Sequence, residues 1–297
     1  MIKDISILIA ALNEEESLPS LIDEINTSVQ SLDVNYEIII IDDFSKIPVN
    51  SYISGEDIKV LRNSYTRGQS FSLIRAAEEA KYDFLVTLDG DGQNPPEEIG
   101  KLIKIFNKNF DYCDVVSGIR KSRKDGIVRT LYSKFANLII RLITKTQSKD
   151  LGCALKIFKK HMLEDIKFNG DIHRILVPLF EYRGYKLIQE EVEHRPRQFG
   201  ETKYGFSRIT AVIIDSFLLY FTNGFTSTAR YSLARLSFVF GFLSTALFVL
   251  SLYQKEANGV FVHKNPIFLI GIVTFFVSLQ FFATSITSFF IENKYKN

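Results

Sequence analysis

The chain has 297 residues, 46% of them apolar, with 36 Lys and Arg against 34 Asp and Glu and a formal net charge of +2. That length holds one large domain or two small ones, and so small a net charge gives no electrostatic ground for nucleic-acid binding. The two cysteines, Cys113 and Cys153, fit neither a disulfide framework nor a Cys/His metal pattern, and read as reduced structural thiols.

Met1-Ile2-Lys3-Asp4 leads straight into a strand-like run, so no signal peptide is expected. Ile5 to Leu12 is apolar and of strand length. After Asn13-Glu14-Glu15-Glu16-Ser17 comes a helical pattern at Leu18, Leu21, Ile22, Ile25 and Val29. Tyr36 to Ile41 is a second buried strand ending in Asp42-Asp43-Phe44-Ser45, and Ile58 to Leu61 a short third one. A polar turn, Thr66-Arg67-Gly68-Gln69, precedes a helix through Phe71, Ile74, Ala77 and Ala80. Alternation of strands and helices predicts a mostly parallel α/β sheet, with acid-rich strand tips along one edge.

Phe84 to Leu88 is a buried strand that runs into Asp89-Gly90-Asp91-Gly92-Gln93-Asn94-Pro95-Pro96 and an acidic helix start at Glu97-Glu98. If strand geometry persists, Asp89 and Asp91 face the same side. Two carboxylates and the Gln93 amide offer hard oxygen ligands to Mg²⁺ or Mn²⁺, beyond the carboxyl end of a strand where open α/β sheets bind ligands. Neither G-x-G-x-x-G nor a Walker sequence is present, so a diphosphate bound here must be neutralised another way, and Asp89, Asp91 and Gln93 acting through such a metal would do that.

A helix through Ile99, Leu102, Ile103 and Phe106 follows, then a strand end at Val115-Val116-Ser117-Gly118. The basic stretch Arg120, Lys121, Arg123, Lys124, Arg129, Lys134 is either a solvated face or an anion site. Asp150 stands ahead of another short strand, and Asp171-Ile172-His173-Arg174 opens a helix in which His173 reads as structural. Leu187 to Val192 is the last strand. It ends in a basic, glycine-bearing loop from His194 to Gly205, a segment able to close over an anion.

The rest is strongly apolar. Ile209 to Phe221 is short for a span and suits an interfacial helix. No charge lies between Arg235 and Lys255 or between Lys264 and Glu292, and each interval is long enough to cross a bilayer. Arg208, Arg230 and Arg235 before the first span, with Lys294 and Lys296 after the second, predict both ends in the cytoplasm.

Five segments together resemble a known family: Ala11-Leu12-Asn13-Glu14-Glu15, Asp42-Asp43-Phe44-Ser45, Asp89 to Glu98, Asp150-Leu151-Gly152-Cys153, and Arg197 to Tyr204. In this order, ahead of two spans, they are similar to polyprenyl-phosphate glycosyltransferases of the dolichol-phosphate-mannose-synthase-like branch of glycosyltransferase family 2. The tail most resembles two-span bacterial members that act on undecaprenyl phosphate. The resemblance implies a GT-A nucleotide-diphospho-sugar transferase fold, a nucleotide-diphosphate sugar donor, a polyprenyl phosphate acceptor and an inner-membrane enzyme making a lipid-linked monosaccharide for the cell envelope. It divides the chain into a cytosolic catalytic domain at 1–206, interfacial helices at 207–231 and a two-span hairpin with a short tail at 232–297, through which a homo-oligomer is conceivable.

By the same resemblance, Asn13, Glu14, Asp42 and Asp43 would hold the nucleoside, while Asp89, Asp91 and Gln93 would hold metal and diphosphate. Arg120, Arg129 and Ser133 match positions near the acceptor phosphate, and Arg197 and Lys203 match the closing loop. Asp91 and Asp150 are the catalytic candidates, Asp150 either orienting the acceptor or accepting a residual proton, or else acting as a structural cap. The chain departs from the family pattern at Ala10 (usually Pro), Phe44 (in a usually glycine-bearing turn), Gly90, Gly92 and Thr202. A processive polysaccharide synthase of the same superfamily is disfavoured, because its Q-x-x-R-W motif cannot exist in a chain with Trp 0. An inactive membrane scaffold with an inherited fold is the alternative, and a metal-dependent nucleotide-sugar hydrolase would leave the spans unexplained.

Overall fold

Ile5, Ile7, Leu8 and Ile9 have no exposed surface on either face, as expected of a strand inside a covered parallel sheet. They belong to β1 (Asp4–Ala11) in a computed structural model that describes residues 1–121, 141, 146–163, 172–196 and 226–294. The chain divides into two compact units, Met1–Phe217 and Leu218–Asn297.

In the first unit seven strands form one sheet in the order β3-β2-β1-β4-β6-β5-β7. The others are β2 (Asn35–Asp42), β3 (Ile58–Arg62), β4 (Phe84–Asp89), β5 (Val115–Arg120), β6 (Lys156–Lys159) and β7 (Leu187–Val192). All neighbours are parallel except β6, which runs antiparallel to both β4 and β5. The inserted strand matters for the site. Because Thr87 and Ser117 both pair with Lys156, the loop entering β6 lies at the carboxyl edge of the parallel strands.

Helix α1 (Leu18–Gln30) buries Leu18, Leu21, Ile22, Ile25 and Val29, the five positions its periodicity predicts. With α3 (Glu98–Lys108), which buries Ile99, Leu102, Ile103 and Phe106, it covers the sheet face carrying Ile5, Ile7, Ile9, Ile38 and Ile40. Each such side chain contributes about 1.5–3 kcal/mol by leaving water. Helix α2 (Gln69–Glu78) lies against β1 and β2 and meets α4 (Ile172–Tyr182). Its buried face differs from the predicted one: Ser70, Ser72, Ala76 and Ala77 are buried, while Phe71 and Ile74 are only half-buried. The serines face inward because they are hydrogen-bonded. Ser72 Oγ accepts from Asn63 at 3.1 Å, and Ser70 Oγ is 3.0 Å from His173 Nδ1. His173 thus joins the starts of two helices, as its structural reading requires.

The second unit contains α5 (Thr226–Asn258) and α6 (Pro266–Lys294). Within them Leu233–Asn258 and Pro266–Ser288, of 26 and 23 residues, are long and apolar enough to cross a membrane. At 1.5 Å per residue each exceeds a hydrocarbon core of about 30 Å. The pair is antiparallel and meets along small residues repeated every seventh position. Ser237, Ser244 and Ser251 lie on α5, and Gly271, Ser278 and Ser285 on α6. Ser244 Oγ donates to Gly271 O at 2.9 Å and Ser278 Oγ to Ser237 O at 2.8 Å. Small polar residues of this kind allow helices to approach closely in lipid. A Cβ at Gly271 would stand 3.0 Å from Phe248 Cε1. Gly271→Leu is therefore expected to destabilise the hairpin by about 1–3 kcal/mol through overpacking, read as an earlier thermal melt in detergent; an unchanged melt would exclude this packing.

Candidate active site

The register sets the ends of three strands level. Ala11 pairs with Asp42, and Ala10 with Asp89, so β1, β2 and β4 deliver Asn13, Asp42-Asp43 and Asp89 to one edge. The acid-rich tips predicted from sequence do line a single edge. The loops there are tied together by side chains. Asn13, with φ of 51°, donates its N–H to Ser45 Oγ at 3.0 Å, and its Oδ1 accepts from the Lys46 N–H at 2.8 Å. Ser17 Oγ donates to Gly90 O at 2.8 Å and lies 3.1 Å from Glu14 Oε2, linking the β1 loop to the turn after β4.

Asp42 and Asp43 are buried and engaged within the chain. Asp42 accepts from Ser45 N at 2.7 Å and Val49 N at 3.3 Å, and pairs with Arg62 at 2.5 Å. Asp43 accepts from Asn63 Nδ2 at 2.7 Å and from the N–H groups of Arg67 and Gly68 at 2.8 Å each. Both carboxylates fold the loops of this edge.

Strand geometry does not persist from Asp89 to Asp91. The strand stops at Asp89, Gly90-Asp91 is a turn, and Gly92 has φ of 69°. That left-handed conformation is what glycine at 92 permits. The turn, rather than the alternation of a strand, keeps the two carboxylates near each other. Burial and then the charge of Asp91 push the Asp89 carboxyl up to about 6, opposed by Lys156, Gln69 and Arg120. Gln69 Nε2 donates to Asp89 Oδ1 at 2.6 Å. The Gln93 N–H donates to Asp91 Oδ1 at 3.1 Å. Among the described residues no three His, Cys, Asp or Glu side chains converge as a metal cluster; the side-chain oxygens of this turn come from two carboxylates and the Gln93 amide.

At the neighbouring strand end Asp150 is 5% exposed and takes a two-pronged pair from Arg120: Nε to Oδ2 and Nη2 to Oδ1, each at 2.8 Å. The backbone N–H groups of Arg120 and Gly152 add contacts at 3.1 Å each. Close by, Lys156 is 4% exposed and donates to Cys153 O. Burial lowers its pKa, while Cys153, Asp89 and Asp150 act to raise it. Arg195 crosses above the Asp-Gly-Asp-Gly-Gln turn, its N–H donating to Gln93 O at 2.9 Å and its guanidinium pairing with Glu24 at 2.6 Å and more distantly with Glu97.

The sequence profile named Glycosyl transferase family 2 matches residues 6–167, which contain every one of these strand ends except that of β7. The chain is a member of glycosyl transferase family 2. It is a sugar-transferring enzyme with a GT-A fold. Over its whole length it is 28% identical to an undecaprenyl-phosphate 4-deoxy-4-formamido-L-arabinose transferase of Klebsiella pneumoniae, covering 90% of that protein. It is 26% identical, over 98% of its length, to a dodecaprenyl-phosphate galacturonate synthase of Rhizobium johnstonii, covering 88% of it. Solved structures support the fold. A glucosyl-3-phosphoglycerate synthase from Mycobacterium tuberculosis, in complex with Mn²⁺, UDP-glucose and glycerol 3-phosphate, matches with a TM-score of 0.58 at 17% identity, over 73% of this chain and 80% of its own. Mannosyl-3-phosphoglycerate synthase from Rubrobacter xylanophilus gives 0.59 at 13% identity, over 73% of each chain.

Of the transferase's sequence-predicted site residues, Asn13, Glu14, Asp42, Asp43, Asp89, Asp91, Gln93, Arg120 and Asp150 are on described segments, at the carboxyl edge of the sheet. Arg129, Ser133, Arg197 and Lys203 lie outside the described residues, as does the interfacial segment from Ile209 to Phe221. Sequence reasoning missed Gln69, Arg62 and Lys156. Lys156 had left a signal: a lone charge inside the apolar run Leu155 to Phe158.

Proposed function

We propose that this transferase moves a sugar from a nucleotide-diphosphate sugar to a polyprenyl phosphate, undecaprenyl phosphate in a bacterial membrane. The observation that carries the acceptor is that two full-length relatives named for different sugars and different prenyl lengths are both named for a polyprenyl phosphate. The hairpin supports the same acceptor, since exposed apolar residues such as Phe238, Phe242, Val273 and Phe276 need lipid around them.

The donor belongs at the β1, β2 and β4 ends. Asn13 and Glu14, on the loop that Ser45 and Lys46 tie to the end of β2, face the nucleoside together with Asp42 and Asp43. Asp89, Asp91 and Gln93 suit a divalent cation: their oxygens are hard ligands, and the Asp89 carboxyl, raised by burial and then by the charge of Asp91, is one whose ionised form such an ion would stabilise. Mg²⁺ or Mn²⁺ bound there would offset charge on the leaving diphosphate.

In the reaction an acceptor phosphate oxygen forms a bond to the anomeric carbon. The bond from that carbon to the diphosphate breaks, and the nucleoside diphosphate leaves with the electron pair. With a second pKa of about 6 the phosphate monoester is already deprotonated at neutral pH, so no general base is required. Asp150, saturated by N–H donors, is suited to fixing Arg120 rather than to taking a proton. Arg120, with Arg129, Ser133, Arg197 and Lys203, would hold the acceptor dianion beside the donor. Residues 1–206 form the catalytic domain in this scheme, 207–231 lie at the interface and 232–297 anchor it, with both ends in the cytoplasm of an inner membrane.

The test is transfer of labelled sugar into an organic-extractable lipid, with a panel of sugar nucleotides, polyprenyl phosphate supplied and EDTA in a parallel arm. Lipid-linked product lost on metal removal is expected. No such product from any donor would favour the inactive scaffold, and transfer unchanged after thorough metal removal would discard the cation.

A further inference from the structure

Phe44 is one of two described non-glycine residues with positive φ, at 69°; the other is Asn13. For a bulky side chain this conformation is strained. It occurs at the end of β2, in the loop that Ser45 and Lys46 tie to Asn13. The strain does not serve burial, because Phe44 remains 49% exposed.

The ring is nonetheless held in place. The Arg62 guanidinium stands 5.1 Å from its centroid, and Arg62 is itself fixed by Asp42 Oδ2 at 2.5 Å and Ser45 O at 2.7 Å. A cation fixed over an aromatic ring orients it, and with Arg62 on one side the exposure belongs to the remainder of the ring. Further along the same loop Tyr52 Oη is buried without a partner among the described residues, as is Glu15 Oε2 on the β1 loop. A strained, exposed aromatic ring braced by a fixed guanidinium, on an edge whose neighbouring loops keep unfilled polar atoms, is an arrangement that a planar heterocycle completes.

We propose that the Phe44 ring, backed by Arg62, is the stacking platform for the base of the nucleotide donor and helps set which base is accepted. This rests on the donor assignment made above. It adds a contact through a residue at which the chain departs from the pattern it otherwise resembles.

The experiment is calorimetric binding of UDP, GDP and inorganic pyrophosphate, each with Mg²⁺, to the full-length protein in detergent. It compares the native chain with Phe44→Gly and Phe44→Leu, and a thermal melt of each accompanies the titrations. Stacking on an aromatic ring predicts a loss of about tenfold or more in affinity for the preferred nucleoside diphosphate in both variants. Pyrophosphate, which has no base, binds all three proteins alike. Phe44→Gly also melts higher than the native protein, since glycine relieves the backbone, whereas Phe44→Leu does not. A merely structural Phe44 would not pair higher stability with weaker nucleotide binding.

Equal nucleotide affinity in all three proteins overturns the platform while leaving the donor site in place. So does an equal loss of pyrophosphate binding, which would report a distorted loop. A native protein that binds neither nucleoside diphosphate nor pyrophosphate, and transfers no sugar, overturns the donor assignment and the platform with it.

Discussion

Asp91→Ala is expected to abolish sugar transfer, a loss of at least about 10²–10³-fold, the scale on which one preorganised electrostatic contact to a reacting group is felt. The residue is 8% exposed on a turn that Gly92 makes possible, and its charge helps push the Asp89 carboxyl up to about 6, after burial. The same crowding gives this site a cost in the cation-free protein. A carboxyl raised on folding contributes stability that is present below its unfolded value and lost as pH rises through about 6. Asp91→Asn removes the charge yet keeps an oxygen for the Gln93 N–H. In EDTA at pH 7.5 it should melt above the native protein, and the gap should close at pH 5. Added Mg²⁺ or Mn²⁺ should raise the native melt and leave the variant's unmoved. A variant that retains a tenth of native transfer, or that responds to the cation as the native chain does, would remove Asp91 from the donor site.

That turn also marks the limit of what sequence could say. Hydrophobic periodicity located β1, α1 and α3 because each buries an apolar pattern set by local geometry, and the Leu18 to Val29 face is the plainest case. It placed the acidic tips on one edge because parallel strands must all end there. It erred where side chains answered to distant partners. The inward serines of α2 satisfy Asn63 and His173, which are 9 and 103 residues away. The pairing of Asp150 with Arg120 spans 30 residues and depends on β6 entering the sheet antiparallel. Nothing in the short run Lys156 to Lys159 states its direction. Asp42 and Asp43 were legible as an acidic strand end, but their role in folding the loops was not, since the N–H groups they bind come mostly from turns with no pattern of their own.

The Arg120–Asp150 pair yields the largest stability effect expected in the first unit. The side chains are 16% and 6% exposed, and both guanidinium contacts are 2.8 Å. Arg120→Met leaves a buried carboxylate that keeps the backbone N–H groups of residue 120 and Gly152, at 3.1 Å each, but loses its counter-charge. Removing one member of a buried pair costs about 3–5 kcal/mol, because the survivor keeps its desolvation penalty and loses its counter-charge. The urea midpoint should therefore fall steeply. Asp150→Leu combined with Arg120→Met removes both penalties and should recover much of the loss, though not all, since the N–H groups of Arg120 and Gly152 would then lack an acceptor. Arg120→Lys keeps the charge but loses the planar fork, and should fall between. Transfer separates stability from chemistry. If Arg120 serves the acceptor dianion, the double variant folds yet does not transfer, and its defect persists at any acceptor concentration. A native urea midpoint in Arg120→Met would mean the pair contributes nothing to the fold, and native transfer by the double variant would mean that the acceptor phosphate is held elsewhere.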